Sequence, residues 1–437
     1  MSAVSRHYVV SPGAGIAGEL QVPGDKSISH RAAMLGAIAE GITEIDGFLE
    51  SGDCLATLSA LSALGVRCER AGRGRFLVHG VGMRGLRAPP EPLDLGNSGT
   101  SMRLLAGILA GQSFDSTLVG DASLMRRPME RVAGPLRRMG ADVRTHDGCA
   151  PLSVRGGRRL NGCDHVLDVP SAQVKSALLL AGLFAEGRTR VQEPGHSRDH
   201  TERMLGSFGV TVVRERDAVA LQGPASLAAC RLQVPGDFSS AAYFMAAGLV
   251  AGSGALTVRG VGVNPTRTAL IDILRLMGAD IRVHALPDAG GEPMADIEVR
   301  PGPLRGVTVP AALVPAAIDE LPLVFAIAAL AAGETVVTGA AELRVKESDR
   351  IGAMAAGLES LGVVVRVQSD GLRIQGGAVR GGTVDSLGDH RVAMSFAVLA
   401  TRAESAVTIL DVQNVGTSFP GFAQAARRAG LRLSEEA

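Results

Sequence analysis

The hexapeptide LQVPGD stands at residues 20–25 and again at residues 232–237. Each copy leads into a small, apolar segment that ends on glycine, AAMLGAIAEG at 32–41 and FMAAGLVAG at 244–252, and then into a short β-branched segment. A repeat on this scale indicates duplicated units, and 437 residues are more than one hydrophobic core usually supports. The sequence therefore predicts two domains of similar design.

A shorter period runs beneath this duplication. Its six segments are ALGVRCE, RMGADVR, SFGVTVV, LMGADIR, SLGVVVR and RAGLRLS, with glycines at positions 65, 140, 209, 278, 362 and 430. Glycine commonly ends a helix because it adopts a positive φ without steric cost. Each unit is typical of strand, buried helix, strand, amphipathic helix and strand. Chance recurrence in a chain with 56 glycines is the alternative, but the matched flanks favour an α/β (α+β) fold with three units per domain.

Composition narrows the function classes. The chain is 46% hydrophobic and 20% charged, with zero net charge, which is typical of a soluble globular enzyme. With 2 Tyr, 11 Phe, no Trp and no basic block, it has neither the charge nor the stacking residues expected of a nucleic-acid binder. Apolar stretches fall short of a membrane span, and the N-terminal stretch lacks a signal-peptide core. We expect a cytoplasmic protein without nucleic-acid or membrane partners.

The five cysteines show neither CxxC nor zinc-like spacing, so we expect no metal and no disulfide framework. Lysine is rarer still: only Lys26, Lys175 and Lys346 occur among 44 basic residues. Each lies in or beside the opening of a predicted helix, where an ammonium can carry a proton and a guanidinium cannot. Drift of the composition towards arginine, with three accidental survivors, is the alternative explanation.

Charged and polar side chains gather in the first turns of the predicted helices, where free N–H groups and the helix dipole favour anions. They are Ser27, Arg31, Arg103, Arg127, Ser171, Gln173, Lys175, Arg198, Asp319, Glu320, Lys346, Glu347, Arg350, His390 and Arg391. Ordinary capping explains Asp319 or Glu347, but a cation at a helix N-terminus is repelled by its own dipole. Bound anions would remove that conflict, so the sequence predicts a wet, anion-binding cleft.

Seven segments carry a resemblance to a known family. They are PGDKSISHRA (23–32), LGNSGTSMRLL (95–105), DASLMRRPMERV (121–132), PSAQVKSALLLAG (170–182), SRDHTERML (197–205), ELRVKESDR (342–350) and GDHRVAMSFAVL (388–399). In this order they resemble the 5-enolpyruvylshikimate-3-phosphate synthases, or 3-phosphoshikimate 1-carboxyvinyltransferases, and most of all the class II branch associated with tolerance of glyphosate.

The resemblance implies the enolpyruvyl transferase fold, with two domains of three βαβαββ units each, joined by two crossovers. Residues 1–22 with 237–437 would form one domain and residues 23–236 the other, with the active site in the cleft between them. Both VPGD segments would be hinges. A monomer is expected.

The implied reaction transfers the enolpyruvyl group of phosphoenolpyruvate to the 5-hydroxyl of shikimate 3-phosphate and releases phosphate, without metal or cofactor. It belongs to the shikimate pathway, which leads to chorismate and the aromatic amino acids. Protonation of the methylene carbon makes C2 electrophilic, the hydroxyl adds to give a tetrahedral intermediate, and loss of phosphate and a proton restores the enol ether.

The resemblance also implies residue roles. The expected phosphoenolpyruvate-binding residues are Lys26, Asn97, Gly99, Arg127, Gln173, Arg350 and Arg391. The expected shikimate 3-phosphate-binding residues are Ser27, Arg31, Ser171, Ala172, Gln173, Arg198, Asp319 and Lys346. Asp319 is the candidate for activating the 5-hydroxyl, and Glu347 with Lys26 for proton transfer at the methylene carbon. Their acid and base roles stay undivided, because coupled groups in one site do not titrate separately.

Two positions depart from the family pattern. Thr417 stands where many relatives have a lysine, which removes one expected cation. Gly99 stands where tolerant class II relatives have alanine, whose methyl group narrows the pocket for glyphosate. Gly99 therefore favours inhibition by glyphosate, whereas the class II features favour tolerance, and the sequence leaves both open.

Three other functions were weighed. UDP-N-acetylglucosamine enolpyruvyl transferases usually carry a cysteine in a mobile loop, but GQSFDSTLVGDASLMRRP at 111–128 contains none. RNA 3′-phosphate cyclases need a nucleotide-activating histidine and a basic surface, which the sequence does not indicate. A non-catalytic anion-binding protein on the same scaffold is the third, and the joint presence of Lys26, Asp319 and Glu347 argues against it.

Overall fold

A computed structural model describes residues 6–13, 15–195 and 197–436 of the chain, apart from the side chain of residue 289. Residues 1–5 and 14, which belong to the first expected domain, lie outside the described residues. The described α-helices are α1 (Lys26–Ile38), α2 (Gly52–Ala63), α3 (Gly99–Ala110), α4 (Glu130–Arg138), α5 (Ala172–Gly182), α6 (His200–Ser207), α7 (Phe238–Val250), α8 (Ala269–Leu276), α9 (Val314–Ala317), α10 (Leu321–Ala328), α11 (Arg350–Ser360), α12 (His390–Ala400) and α13 (Phe422–Arg428).

The described strands alternate with these helices. They are β1 (His7–Ser11), β2 (Gly18–Gln21), β3 (Glu40–Asp46), β4 (Arg67–Gly72), β5 (Arg75–Val81), β6 (Leu93–Asp94), β7 (Ser116–Val119), β8 (Asp142–His146), β9 (Cys149–Arg155), β10 (Asp164–Val166), β11 (Gly187–Gln192), β12 (Val213–Arg214), β13 (Ala218–Gly223), β14 (Arg231–Gln233), β15 (Leu256–Gly262), β16 (Asp280–Ala289), β17 (Glu292–Arg300), β18 (Glu334–Val337), β19 (Val364–Gln368), β20 (Gly371–Gln375), β21 (Gly382–Asp385), β22 (Val407–Leu410) and β23 (Arg432–Glu436).

These strands form small mixed sheets of closely similar topology. Their strand orders are β14-β3-β5-β4, β6-β7-β9-β8, β10-β11-β13-β12, β2-β15-β17-β16, β18-β20-β19 and β21-β22-β1-β23. In each four-stranded sheet the first pair is parallel and the second pair is antiparallel. The expected α/β (α+β) class is confirmed.

The fifth unit departs from its relatives in two ways. Residues 305–308 run parallel to β18 through only two isolated bridges, so they do not count as a fourth strand. The helix that follows is broken into α9 and α10, whose axes differ by 118°. Asp319 and Glu320 lie at this break, and Glu320 is the N-cap residue of α10.

The six glycines inferred to end helices do so. Gly65, Gly140, Gly209, Gly278, Gly362 and Gly430 follow the amphipathic helices with φ of 89°, 99°, 89°, 98°, 82° and 104°. A β-carbon is strongly disfavoured in this left-handed region, so glycine is the residue that turns the chain into the next strand. This part of the repeat prediction is confirmed.

Both LQVPGD copies end on an aspartate that caps a buried helix. Asp25 accepts a hydrogen bond from the N–H of Ile28 at 2.9 Å, and Asp237 accepts one from Ser240 at 2.7 Å. Each cap satisfies a backbone N–H that the first helical turn leaves without a partner. Gly24 is required for close packing, because a Cβ there would lie 1.7 Å from the carbonyl oxygen of Gly47.

Contacts divide the chain into two compact units. The first unit comprises Met1–Pro23, Gly236–Pro287 and Pro293–Ala437, and the second comprises Gly24–Pro235 with Asp288–Glu292. Each has its own hydrophobic core, built on α7, α10 and α12 in the first and on α1, α3 and α5 in the second. The short segment 288–292 was not anticipated from the sequence. Its Glu292 accepts a hydrogen bond from buried His200 at 2.7 Å.

Within the described ranges, no single helix is both long enough and apolar enough to cross a membrane, and only the bent pair 311–317 and 321–328 meets those criteria jointly. The same residues contain no group of three or more His, Cys, Asp or Glu side chains arranged to hold a metal ion.

Candidate active site

The polar residues expected to bind substrates lie where the central helices of each unit begin. In the second unit, α1 begins at Lys26, α3 at Gly99 and α5 at Ala172. Ser98 and Ser171 cap the latter two helices. Backbone N–H groups and the helix dipole make such positions favourable for anions.

Lys26 is one quarter exposed and pairs with Asp53 in the first turn of α2. His30, one turn further along α1, is fully buried, and its Nδ1 forms a hydrogen bond with the hydroxyl of Thr57 at 2.8 Å. Burial holds the pKa of His30 well below its usual value, and the charges of Lys26 and Arg31 add to the effect. His30 is therefore neutral at working pH.

Arg31 is buried and held by protein groups. Its Nε donates to Thr201 at 2.7 Å, its Nη2 to Ser176 at 2.8 Å, and its Nη1 to the carbonyl oxygen of Ser27 at 3.0 Å. Burial lowers its pKa, although carboxylates led by that of Glu202 oppose this. The expected contact of Arg31 with shikimate 3-phosphate stays a prediction.

A second group of residues surrounds the start of α3. Arg127 donates to the Asn97 side chain at 2.6 Å, and Asn97 donates to Asp121 at 2.7 Å. A Cβ at Gly99 would lie 3.0 Å from Nη1 of Arg103 and 3.3 Å from Nη1 of Arg127. The glycine thus leaves space beside two guanidinium groups.

Gln173 connects α3 with α5. Its carbonyl oxygen accepts a hydrogen bond from Arg103, and its amide donates to Thr100 at 3.0 Å. Ser171, the cap of α5, donates its backbone N–H to Glu193 at 2.8 Å. Arg198 is half-buried just before α6. The starts of α3 and α5 are thus joined by hydrogen bonds through Gln173.

Lys175 contacts two buried carboxylates. Its ammonium lies 2.9 Å from both Glu193 and Glu202, and all three side chains are at most 5% exposed. Burial disfavours the charged form, but the carboxylates of Glu202 and Glu193 outweigh it and raise the pKa of Lys175. Of the three lysines, this one is explained by a buried ion triad.

In the first unit, Asp319 lies among four cations. Arg267 and Arg350 approach its carboxylate to 3.7 Å, and Lys346 and Arg391 approach it to 3.8 Å. Four cationic groups therefore lie within 4 Å of this one carboxylate. Three of these cations were expected from the sequence, but Arg267 was not.

Arg350, the first residue of α11, is 1% exposed. Its Nε donates to Asp389 at 2.7 Å and its Nη2 donates to Glu347. Asp389 also caps α12 by accepting the N–H of Arg391 at 2.8 Å. The aspartate therefore holds the Arg350 side chain and caps the helix that carries Arg391, a function that the sequence did not indicate.

Arg391 itself donates to the backbone carbonyl of Asp319 at 2.9 Å. Thr417, at the position of the missing lysine, donates its hydroxyl to the carbonyl of Asn414 at 2.7 Å. Thr417 supplies no positive charge. The cations beside Asp319 from this part of the chain are Arg350, at the start of α11, and Arg391, in the first turn of α12.

Sequence reasoning missed Asp53, Asp389 and Arg267. A signal for Arg267 was present in the repeat, because it lies between the second strand and second helix of its unit, as Arg127 and Arg198 do in theirs. For the two aspartates no such signal exists, since each is an ordinary helix-start acid.

Comparisons with known proteins identify the family of the chain. The family model described as EPSP synthase (3-phosphoshikimate 1-carboxyvinyltransferase) matches residues 10–425. A curated 3-phosphoshikimate 1-carboxyvinyltransferase from Methylococcus capsulatus is 56% identical, over 98% of this chain and 98% of the relative. The solved EPSP synthase of Acinetobacter baumannii is 48% identical, with a TM-score of 0.90 over 99% of this chain and 100% of that one.

The solved enolpyruvyl transferase NikO from Streptomyces tendae has a TM-score of 0.80 at 19% identity, over 99% of both chains. This more distant likeness concerns the fold alone. Together with the A. baumannii structure it confirms the expected enolpyruvyl transferase fold.

Proposed function

The chain belongs to the EPSP synthase (3-phosphoshikimate 1-carboxyvinyltransferase) family, and we propose that the helix-start groups described above bind its substrates. It is a transferase of the shikimate pathway: it moves the enolpyruvyl group of phosphoenolpyruvate to the 5-hydroxyl of shikimate 3-phosphate and releases phosphate. One observation carries the assignment of roles, namely the Asp319 carboxylate among Lys346, Arg350 and Arg391 at 3.7 to 3.8 Å.

In the proposal, phosphoenolpyruvate is bound by Lys26 and Arg127 of the second unit and by Arg350 and Arg391 of the first. Planar guanidinium forks suit the paired oxygens of phosphate and carboxylate. Asn97, Gly99 and Gln173 complete this set. Both units thus contribute to binding the same ligand, and the predicted cleft stays a prediction.

Shikimate 3-phosphate is proposed to bind at the starts of α1 and α5 and beside Asp319. The set consists of Ser27, Arg31, Ser171, Ala172, Gln173, Arg198, Asp319 and Lys346. The N–H groups of a helix start are natural partners for a phosphate or for sugar-like hydroxyls.

The chemistry then proceeds through groups of this chain. Lys26 and Glu347 are the proposed proton carriers at the methylene carbon, and Asp319 accepts the proton of the 5-hydroxyl as its oxygen bonds to C2. Loss of phosphate and of one methyl proton restores the double bond: the methyl proton goes back to the group that gave the first one, and the hydroxyl proton passes from Asp319 to the released phosphate. Acid-base catalysis contributes roughly 10²- to 10⁴-fold, whereas orienting two substrates offsets roughly 7 to 11 kcal/mol of barrier. Binding geometry is therefore the larger effect.

A cytoplasmic monomer that works without metal or cofactor is part of the proposal, as is inhibition by glyphosate through the space beside Gly99. Size-exclusion chromatography tests the monomer. EDTA in the activity assay tests the absence of a metal requirement.

The deciding experiment measures phosphate release by purified protein supplied with shikimate 3-phosphate and phosphoenolpyruvate, each omitted in turn, with and without EDTA. Release that needs both substrates and is unaffected by EDTA supports the proposal. Release with UDP-N-acetylglucosamine in place of shikimate 3-phosphate would favour the alternative acceptor. Binding of both substrates by calorimetry without any release would favour a non-catalytic protein.

A further inference from the structure

Arg267 is the cation beside Asp319 that no substrate contact accounts for. Its side chain is 5% exposed, and its Nη1 lies 3.7 Å from Oδ2 of Asp319. Lys346, by contrast, is 25% exposed and can reach a ligand. Arg267 hydrogen-bonds to the Ser239 hydroxyl and lies beside the carboxylates of Asp319 and Glu320, so it can act on the reaction through these neighbours.

The segment that carries Arg267 is fixed by a local turn. The Asn264 side chain accepts hydrogen bonds from the backbone N–H of Thr266 at 3.0 Å and from its hydroxyl at 2.8 Å. The N–H of Arg267 donates to the Asn264 carbonyl at 2.8 Å. Such an Asx turn orders the loop between β15 and α8 and so sets where the guanidinium lies.

Arg267 also belongs to a buried polar cluster, which we call the Glu320 network and which consists of Ser239, Arg267, Glu320 and Arg391. Nη2 of Arg267 donates to the Ser239 hydroxyl at 2.6 Å, and this hydroxyl donates to Oε1 of Glu320. The same carboxylate oxygen lies 3.4 Å from Arg267 and 3.5 Å from Arg391. One glutamate therefore connects the two arginines.

The Glu320 network joins three helix starts, because Ser239 lies in the first turn of α7, Glu320 immediately precedes α10 and Arg391 lies in the first turn of α12. Arg391 then donates to the carbonyl of Asp319 at 2.9 Å. A change at Arg267 can thus be transmitted to both Arg391 and Asp319.

Stability alone gives little reason for such a cluster. Replacing a buried ion pair by well-packed apolar residues is often neutral or stabilising, because desolvation offsets the attraction. Nε and Nη1 of Arg267 and Oε2 of Glu320 have no hydrogen-bond partner among the described residues, which adds to the cost of burial. The cluster therefore contributes little net stability that would account for its charges.

We infer that Arg267 is a positioning residue for the transfer reaction, which through Ser239 and Glu320 orients Arg391 and, with its own charge, holds the Asp319 carboxylate in place. The inference rests on the roles proposed above for Asp319 and Arg391. Nothing in it requires Arg267 to touch either substrate.

Steady-state kinetics of Arg267→Gln and Arg267→Lys test the inference. Misplacing a reacting group by about 1 Å can cost on the order of 100-fold in rate, so we expect kcat of Arg267→Gln to fall roughly 10- to 100-fold. Lysine keeps the charge but cannot contact Ser239 and Asp319 together. The kcat of Arg267→Lys should therefore lie between those of the wild type and Arg267→Gln. Binding of shikimate 3-phosphate, measured by calorimetry, should change little. Arg275→Gln, in the last turn of α8, the helix that follows the Arg267 loop, is the matched control and should leave kcat unchanged.

The double variant Arg267→Gln/Glu320→Gln separates positioning from folding. Each single change leaves one buried charge without its partner, whereas the double variant removes both and should regain thermal stability. We expect its kcat to stay low. Recovery of kcat together with stability would show a merely structural role, and a folded Arg267→Gln protein with kcat within twofold of the wild type would also overturn the inference. A wild-type protein without turnover would overturn the proposed function and this inference together, before any variant is compared.

Discussion

Replacing Lys175 by methionine removes the charge at the centre of a buried ion triad and keeps an unbranched side chain of similar length. In the wild type, the ammonium lies 2.9 Å from Glu193 and 2.9 Å from Glu202. Glu202 is 1% exposed and Glu193 is 5% exposed, so neither carboxylate can turn to water. Lys175→Met therefore leaves two like charges facing each other in the core.

The magnitude follows from these distances. At an effective dielectric constant of roughly 20, an ion contact at 2.9 Å contributes about 6 kcal/mol. Desolvation costs several kcal/mol for each ion, so the intact triad contributes little net stability. Breaking a buried pair by removing one partner typically costs about 3–5 kcal/mol, and we expect the free energy of unfolding of Lys175→Met to fall by that amount at pH 7.5.

The pH dependence has a definite sign. The carboxylates of Glu202 and Glu193 raise the pKa of Lys175 above its usual 10.5 despite burial. The contribution of the charged Lys175 to the free energy of unfolding is therefore complete below pH 10.5. It is lost as pH rises through the higher pKa of Lys175 in the folded state. In Lys175→Met, acid protonates the orphaned carboxylates, so the deficit relative to wild type should be smaller at pH 5 than at pH 7.5.

Urea unfolding followed by circular dichroism measures these changes, since the chain has no tryptophan to report by fluorescence. Lys175→Met/Glu202→Gln is the matched control and should recover part of the loss, because Glu193 keeps its hydrogen bonds from Ser171 and Ser197. A Lys175→Met protein within 1 kcal/mol of wild type at pH 7.5, or one whose deficit grows in acid, would refute the reasoning about the triad.

Four further predictions concern other sites. Asp319→Asn should lower kcat on the order of 10²- to 10⁴-fold with shikimate 3-phosphate binding largely retained, and near-normal turnover would contradict its proposed role. Arg350→Lys keeps the charge but loses the planar fork, so the KM for phosphoenolpyruvate should rise on the order of tenfold; unchanged KM and kcat would count against it. Gly99→Ala puts a Cβ 3.0 Å from a guanidinium nitrogen, and the glyphosate inhibition constant should rise more than the KM for phosphoenolpyruvate, whereas equal shifts would speak against a steric effect. Burial, with the charge of Arg138, lowers the pKa of His165 to about 4. Wild-type stability should therefore fall between pH 6.5 and about 4, because only the unfolded chain binds this proton there. In thermal unfolding at pH 5, His165→Gln should lose less stability than the wild type, and equal losses would contradict this.

The repeat architecture was predictable because its signals are local. Gly65 and its five counterparts end helices at positive φ, and Asp25 and Asp237 cap helices, all through contacts within a few residues. The broken helix before Asp319 was not predicted. Pro315 and Pro322 stand near the starts of α9 and α10. The apolar sequence of this region did not indicate that the chain bends by 118° between the two helices.

The expected binding residues were found through motifs, which state residue types and order but not partners. Lys26 was identified as special from its rarity, yet its pairing with Asp53 required the packing of α1 against α2. Lys175 shared that rarity and proved to belong to a buried triad. The rarity of lysine thus pointed to two residues in different settings: Lys26 is partly exposed, whereas Lys175 is buried.

By itself, the sequence determined the six-unit α/β design, the helix starts where anions can bind and the family to which the chain belongs, since periodicity, capping and ordered motifs are properties of neighbouring residues. Which charges meet depends on how the helices pack in three dimensions. Arg267 and Glu320 are 53 positions apart in the chain, and Arg350 and Asp389 are 39 apart. Contacts at such separations depend on how helices pack. Coulomb and hydrogen-bond energies depend on the distance between atoms in space and not on their separation along the chain.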